Sequence, residues 1–362
     1  MSVFDSISAG SSINQKGFDK GFKVCNDKLQ KPQNLRGQPI LDSARKGRAL
    51  EEESKKLYEL LKEACSNCSS STISLSGGLD STIIAYLLKE KNPSGIAVIA
   101  QDFVSTDLTY CQMAAKQFHI PLTIHSASTA EILGAIEETI KILKNFNDIE
   151  IRNNVVMYMA IKWVKEQGGS GIITGDGADE LFAGYSFLVN KPLDQIDKEI
   201  QRIWSVMHFP TQKIGKALGV KIESPFLDKK TIEFAKKIPV DLKVRNEGDT
   251  RYGKWLLRKT FERKIPPQIA WREKSPMQDG SGTVGLTSLF GSIVDDAKFE
   301  EKKKAIERSD NVIIRTKESM HYYEIFKKMF GSPCSNAERT CPYCRHNVED
   351  SKFCRMCGAF PI

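Results

Sequence analysis

"STISLSGGLDSTIIAYLLKE", Ser71 to Glu90, passes from small and β-branched residues through two glycines into an apolar run of helical character. The spacing predicts a strand that enters a helix through a turn almost without side chains. Glycine lets backbone approach a ligand closely and take positive φ. A turn of free N–H groups at a helix N-terminus is an anion cradle, so bareness here suits phosphate oxygens. The lysine of G-x-x-x-x-G-K-[ST] is missing, which excludes the loop of kinases and GTPases. An acid, Asp80, stands in the turn instead, and beside phosphates it needs Mg²⁺ between. The blander reading is that Asp80 and Ser81 only cap the helix.

Working outward, "GIAVIAQDF", "PLTIHSA" and "GIITGDG" read as further strands, and "DLTYCQMAAKQFH", "TAEILGAIEETIKILKNF" and "RNNVVMYMAIKWVKEQG" as helices between them, with Thr129 as an N-cap. Strands alternating with helices predict an α/β fold with a doubly wound parallel sheet, whose ligands bind beyond the carboxyl ends of the strands. Both Gly/Asp turns fall at such ends. The expected organisation is a basic, loosely structured leader over 1–45, a main domain over 46–330 that is mainly helical from Asp194 onward, and a small separate module over 331–362.

The chain has 362 residues, 40% of them hydrophobic, and no apolar run approaches the length of a membrane helix. The N-terminus lacks a signal-peptide core, so a cytoplasmic protein without a membrane partner is expected. Nine cysteines then fit metal binding or buried thiols better than disulfides. The net charge of +8 is partly a property of the leader, where nine Lys/Arg meet four Asp/Glu over residues 1–50. Gly, Gln, Asn and Asp interrupt those charges, which favours a solvated leader over a nucleic-acid arm.

"SLSGGLDS" resembles the signature of the ATP pyrophosphatase (PP-loop) superfamily, which implies ATP as substrate and cleavage to AMP and pyrophosphate. "TGDGADELFAGY", Thr174 to Tyr185, narrows the likeness. It is similar to the S-G-E-G-S-D-E-x-F-G-G-Y motif of the asparagine synthetase synthetase domain. "SPFLDKKTIEFAKKIP", "GKWLLRKTFERKIPPQIAWREKSPMQDGSG" and "TKESMHYYEIFKKMF" resemble that family's later segments in the same order, so the likeness runs from about Thr72 to Phe330. It implies that Leu75 and Val98 line an adenine site, that Ser76, Gly77, Gly78 and Ser81 hold pyrophosphate, and that Thr174 and Gly175 meet the nucleotide through backbone. It implies that Asp80 and Asp179 ligate Mg²⁺, that Lys274 neutralises charge developing on the α-phosphate, and that Asp176 is the base acting on ammonia. The family usually has glutamate at that last position, and aspartate is shorter by roughly 1.5 Å, which matters for a positioned base.

Other departures concern substrate. The family's N-terminal glutaminase domain has no counterpart in this sequence, so ammonia is expected free or from an amidotransferase partner. The family's T-T-I-R reads "IEIR" here: Arg152 remains as a bidentate fork for a substrate carboxylate, while Glu150 adds negative charge. Glu223 falls where the family has arginine. Two acids near an anionic amino acid are unfavourable by like-charge repulsion, unless both point to solvent.

"CPYCRHNVEDSKFCRMCGAF" gives Cys341-x₂-Cys344-x₉-Cys354-x₂-Cys357, paired knuckles that suit structural Zn²⁺ in a zinc ribbon. Four thiolates leave no open metal position. His346 and Cys334 fall outside the ligand set, and Cys65-x₂-Cys68 lacks a second knuckle. The ribbon is expected to contact a carrier, a protein or RNA, or only to close the chain. Together these features predict an ATP-dependent, AMP-forming carbon–nitrogen ligase that makes an amide, with asparagine from aspartate and ammonia as the leading case. The rivals are a PP-loop enzyme adenylating a tRNA base and a nucleotide-binding scaffold that engages a partner through the ribbon.

Overall fold

The computed structural model describes residues 38–334, 337–348 and 352–362. The chain divides into two units, Met1–Arg48 and Ala49–Ile362. Residues 1–37, most of the expected leader, lie outside the described residues. Helix α1 spans Gln38–Ser66.

The second unit is built on a five-stranded parallel sheet in the order β3-β2-β1-β4-β5. The strands are β1 (Thr72–Ser74), β2 (Ser94–Ala100), β3 (Leu122–Ala127), β4 (Gly171–Ile173) and β5 (Lys221–Glu223). Helices α2 (Leu79–Leu88), α3 (Asp107–Phe118), α4 (Thr129–Leu143) and α5 (Asp148–Glu166) connect them. The expected doubly wound parallel sheet is therefore present. Strand β5 was not expected: the chain beyond Asp194 reads as helical, and three residues at a sheet edge carry no periodicity. The short hairpin of β6 (Arg245–Glu247) and β7 (Thr250–Tyr252) escaped for the same reason.

Side chains alternate across the sheet and divide between two apolar layers. Ile96, Val98, Ala100 and Ile172 join α4 and α5 on one face. Ile73, Leu75 and Ile173 join the apolar faces of α1 and α2 on the other, with Leu57, Leu61, Ile83 and Ile84. The cap of α4 is Ser128 rather than Thr129: its hydroxyl accepts from the Glu131 N–H, and Glu131 reaches back to the Ser128 N–H. The Thr129 hydroxyl donates to Asp102 instead, at 2.7 Å.

The cysteine-rich tail does not stand apart. Cys341, Cys344, Cys354, Cys357, Val348 and Ala359 belong to the same apolar layer as Phe146 on the loop before α5 and Tyr323 on the helix Lys317–Phe330. Backbone bonds seal the joint: Phe146 N to Met356 O at 2.9 Å and Ile313 N to Tyr343 O at 2.7 Å. Arg315 adds a bond to Cys357 O at 2.6 Å.

Glu223 ends β5 and is buried. Its carboxylate accepts from the N–H groups of Ser69 and Ser70 (3.1 and 2.7 Å) and from Lys221 Nζ (2.7 Å), tying the lead-in of β1 to the edge strand. Burial pushes its carboxyl up, but Lys221 and the serine donors outweigh burial and hold it down at about 2. This depressed value gives stability that is full above the usual glutamate range, near pH 4.3, and is lost as pH falls toward about 2. Glu223→Gln should lower stability by about 2 kcal/mol at neutral pH, and the gap from wild type should close in acid denaturant titrations. A gap that persists unchanged at pH 2.5 would refute this role.

Candidate functional site

In the sheet order, β1 has β2 on one side and β4 on the other, so the direction of winding reverses between β1 and β4. A crevice opens at such a switch point, beyond the strand ends. The Ser76–Ser81 turn follows β1 and the Thr174–Asp179 turn follows β4, so both face this crevice. A cavity of about 600 Å³ occupies it.

The first turn is as bare as its sequence. Gly77 has φ +74°, and a Cβ there would run into the backbone of Tyr110 and Cys111 on α3. The glycine is needed for close packing against α3, and it does not line the cavity, whereas Ser76, Gly78, Asp80 and Ser81 do. Gly78 caps α2 without any side-chain hydrogen bond, so no side chain competes for the first N–H groups of the helix. The hydroxyls of Ser76 and Ser81 lie 3.2 Å apart.

The second turn carries the charge. Asp179 sits on the short helix α6 (Ala178–Leu181). Lys254 Nζ lies 2.6 Å from Asp80 Oδ2 and 2.6 Å from Asp179 Oδ1, and Lys274 Nζ lies 2.7 Å from Asp179 Oδ2. Burial alone would raise the Asp179 carboxyl, but the two ammonium groups hold it well below the usual range. Burial likewise pushes Lys254 down, and the two carboxylates outweigh that and raise it. Gly184 makes this contact possible, since a Cβ there would overlap Asp179 and Lys254. Asp80 Oδ1 is buried without a partner. An unpartnered buried carboxylate oxygen, beside a second carboxylate, is what a hard divalent cation takes as ligands. The residues present therefore fit Mg²⁺.

Asp176 lines the same cavity, and its Oδ2 accepts from Thr174 at 3.0 Å and Thr211 at 2.5 Å. Burial raises its carboxyl above the ordinary aspartate range, against those two bonds. Thr174, Gly175 and Val98 also line the cavity.

Besides Gly77, three expected residues lie outside the lining. Leu75 projects into the layer with α1 and α2, because it alternates with Ser74 and Ser76, which face the cavity. Glu223 is at the sheet edge, as described. Arg152 is not in the lining either. The helix α5 starts at Asp148, four residues before the Arg152 with which the expected helix opens, so Arg152 lies within its second turn, and its guanidinium turns to the helix Lys317–Phe330. There it meets Glu318 Oε1 at 3.2 Å and Thr287 Oγ1 at 2.7 Å. Glu150 does line the cavity, held by Asn145 Nδ2 at 2.7 Å, with His208 Nε2 at 3.8 Å.

Nothing in the sequence marks Lys254 as a site residue. It lies in the "GKWLLRK" segment, but a lone lysine there is indistinguishable from a surface one until the fold brings Asp80 and Asp179 to it. Phe353 and Arg355, from the cysteine-rich tail, also line the cavity. No motif signals that placement.

The four cysteine sulfurs lie within 4.8 Å of one another and all four residues are buried. Both knuckles close alike: Arg345 N bonds Cys341 O at 2.9 Å and Gly358 N bonds Cys354 O at 2.8 Å, with Arg345 and Gly358 both at positive φ. Such a set holds a tetrahedral metal. Cys65 and Cys68 make no such group among the described residues, and burial pushes the Cys68 thiol up to about 11.

Sheet order, bare turn and lysine-bridged carboxylates define a doubly wound α/β protein with a charged cavity at the switch point. The chain belongs to the asparagine synthase family, whose model matches residues 56–206 and 198–343. It is 30% identical over 278 residues to a glutamine-hydrolysing asparagine synthetase of Gallus gallus, covering 71% of this chain and 48% of that protein. It is 28% identical over 280 residues to the glutamine-hydrolysing asparagine synthetase B of Escherichia coli K12, covering 72% and 50%. The chain thus spans about half the length of these relatives. Among solved structures, an NMN synthetase from Francisella tularensis aligns over 80% of this chain with 15% identity and a TM-score of 0.33. Among the described residues, no helix is long and apolar enough to cross a membrane.

Breaking the Arg152–Glu318 pair should act on stability and not on the cavity. Glu318→Ala leaves a buried guanidinium unpaired and should cost about 3–5 kcal/mol in denaturant unfolding. Nucleotide affinity of the folded fraction should stay at the wild-type value, and a selective loss of that affinity would return Arg152 to the site.

Proposed function

We propose that this chain is a cytosolic ATP-dependent ligase that makes an amide through an acyl-adenylate, and that the reaction is asparagine synthesis from aspartate with ammonia as nucleophile. Family membership supports the reaction class. The observation that carries the reading is the pair Asp80 and Asp179 sharing Lys254, with Lys274 on Asp179, beside a bare glycine turn at the switch point.

The turn N–H groups and the Ser76 and Ser81 hydroxyls receive the terminal phosphates of ATP, with Val98, Thr174 and Gly175 along the nucleotide. A carboxylate oxygen of the acceptor attacks the α-phosphorus, the bond to the bridging oxygen breaks, and pyrophosphate leaves. Lys254 and Lys274 stand where negative charge accumulates on the departing and equatorial oxygens, and preplaced cations stabilise such charge. Asp80 and Asp179 would hold Mg²⁺, which when bound supplies further charge neutralisation. Ammonia then attacks the acyl carbon, the bond to the AMP oxygen breaks, and one proton of the nitrogen passes to Asp176. Burial of Asp176 raises its basicity, which suits that task. Adenylation replaces a poor leaving group, oxide, by a good one, AMP.

We propose zinc for the four cysteines, in a structural role, since a four-thiolate set leaves no position for substrate. Cys344→Ser should lower bound zinc to well under one ion per chain and reduce the melting temperature, as read by metal analysis and calorimetry. Full zinc retention would refute the ligand set.

The deciding experiment is pyrophosphate release from Mg–ATP with aspartate and ammonium, with asparagine measured as product and tRNA as the alternative acceptor. Lys254→Met and Lys274→Ala should each lower that release by about 100- to 1000-fold in folded protein. Near-normal rates in either, or release with tRNA alone, would sink the proposal.

A further inference from the structure

The acceptor end of the cavity lacks the cation that the sequence assigned to it. Met157 of α5 touches Ser74 at the end of β1, with the Ser74 hydroxyl 3.6 Å from its sulfur. Glu150 lies seven residues earlier on the same helix, roughly 10 Å away along the axis. That distal end carries Glu150 and His208, while Arg152 is committed to Glu318 outside the lining.

The other cations of the cavity are engaged as well. Lys254 and Lys274 serve Asp80 and Asp179, and Arg272 pairs with Asp107 at 3.1 Å. Arg258 is buried and bonded to the carbonyls of Gly253, Ala270 and Arg272. Arg355 differs. It is exposed, has no carboxylate partner among the described residues, and is held by one bond to the Val206 carbonyl, two residues before His208.

The cysteine cluster fixes its place. Arg355 lies between Cys354 and Cys357, and the neighbouring Met356 carbonyl accepts from Phe146 N at 2.9 Å, just ahead of the Asn147 that caps α5. The second knuckle is thereby clamped to the α5 N-terminus, where Glu150 faces the cavity. Phe353, on the other side of Cys354, lines the same wall.

We propose that Arg355, presented by the second cysteine knuckle, binds an anionic group of the acceptor and so does the work that Arg152 is not placed to do. Glu150 in the same end repels a bare dianion, so the acceptor that fits is a zwitterion: its free carboxylate meets Arg355, its ammonium balances Glu150, and its second carboxylate points to the turns. This rests on the amide-synthesis reading only for the identity of the ligand as acceptor. The tail is then a wall of the acceptor site, and metal retention and acceptor binding are thermodynamically linked.

The test is calorimetric binding of aspartate and of isoasparagine, whose α-carboxylate is an uncharged amide, to zinc-loaded full chain saturated with Mg²⁺ and α,β-methylene-ATP. Wild type should prefer aspartate by about 20-fold, the scale of a charge-assisted hydrogen-bonded pair. Arg355→Gln, which keeps a donor for the Val206 carbonyl, should remove that preference to within about twofold, and Arg355→Lys should recover part of it. Equal metal content and melting temperature establish that the variant loop is intact. In wild type, saturating aspartate should also slow zinc loss to a chelator severalfold, and in Arg355→Gln it should not. The proposal is overturned if Arg355→Gln keeps the wild-type preference, if wild type shows none, or if aspartate leaves zinc loss unchanged. If the binding results hold but aspartate and ammonium release no pyrophosphate from ATP, the amide-synthesis reading falls and the assignment of Arg355 stands.

Discussion

Two acids meeting over one buried ammonium organise this molecule. Asp80 comes from the turn after β1, Asp179 from the turn after β4, and Lys254 from a helix start far along the chain. The Lys254 ammonium is not tolerable there alone, because a buried unpaired charge is costly. Lys254 therefore joins three distant segments, and it does so where the winding of the sheet reverses. Lys274 adds a second cation from a further loop. The arrangement holds charge of both signs in one cleft before any ligand arrives, which is what a site handling polyphosphate needs.

The same logic separates charges spent on the fold from charges left facing the cavity. Glu223 and Arg152 are charged and buried, yet each is saturated by neighbours that hold the fold together: Ser69, Ser70 and Lys221 for one, Glu318 and Thr287 for the other. Among the described residues, Asp80 retains a buried oxygen with no partner, and Arg355 meets a single carbonyl. Unspent bonding capacity facing the cavity, more than charge, distinguishes Asp80 and Arg355 from Glu223 and Arg152.

The cysteine tail shows how a small module becomes part of a larger site. Its four buried sulfurs sit in the same apolar layer as Phe146 and Tyr323, so the tail closes the core over the loop before α5. The bond from Phe146 N to Met356 O ties the loop that carries Phe353 and Arg355 to the start of α5. The physical boundary expected near residue 331 is thus a change in composition and not a break in packing.

Local patterns in the sequence determined the strand–turn–helix units, the parallel doubly wound class, the two Gly/Asp turns at the strand ends, and the cysteine spacing. Each of these rests on contacts between residues near in the chain, where periodicity and glycine placement are informative. Tertiary structure alone decided that Lys254 bridges Asp80 and Asp179, that Arg152 turns away from the cavity, and that the tail reaches into it. Arg152 shows the reason most plainly. It sits in the second turn of α5 and pairs with Glu318, some 166 positions later in the chain. Pairings of that sequence separation leave no periodic trace, because the partners meet only once the sheet has set the distance between them.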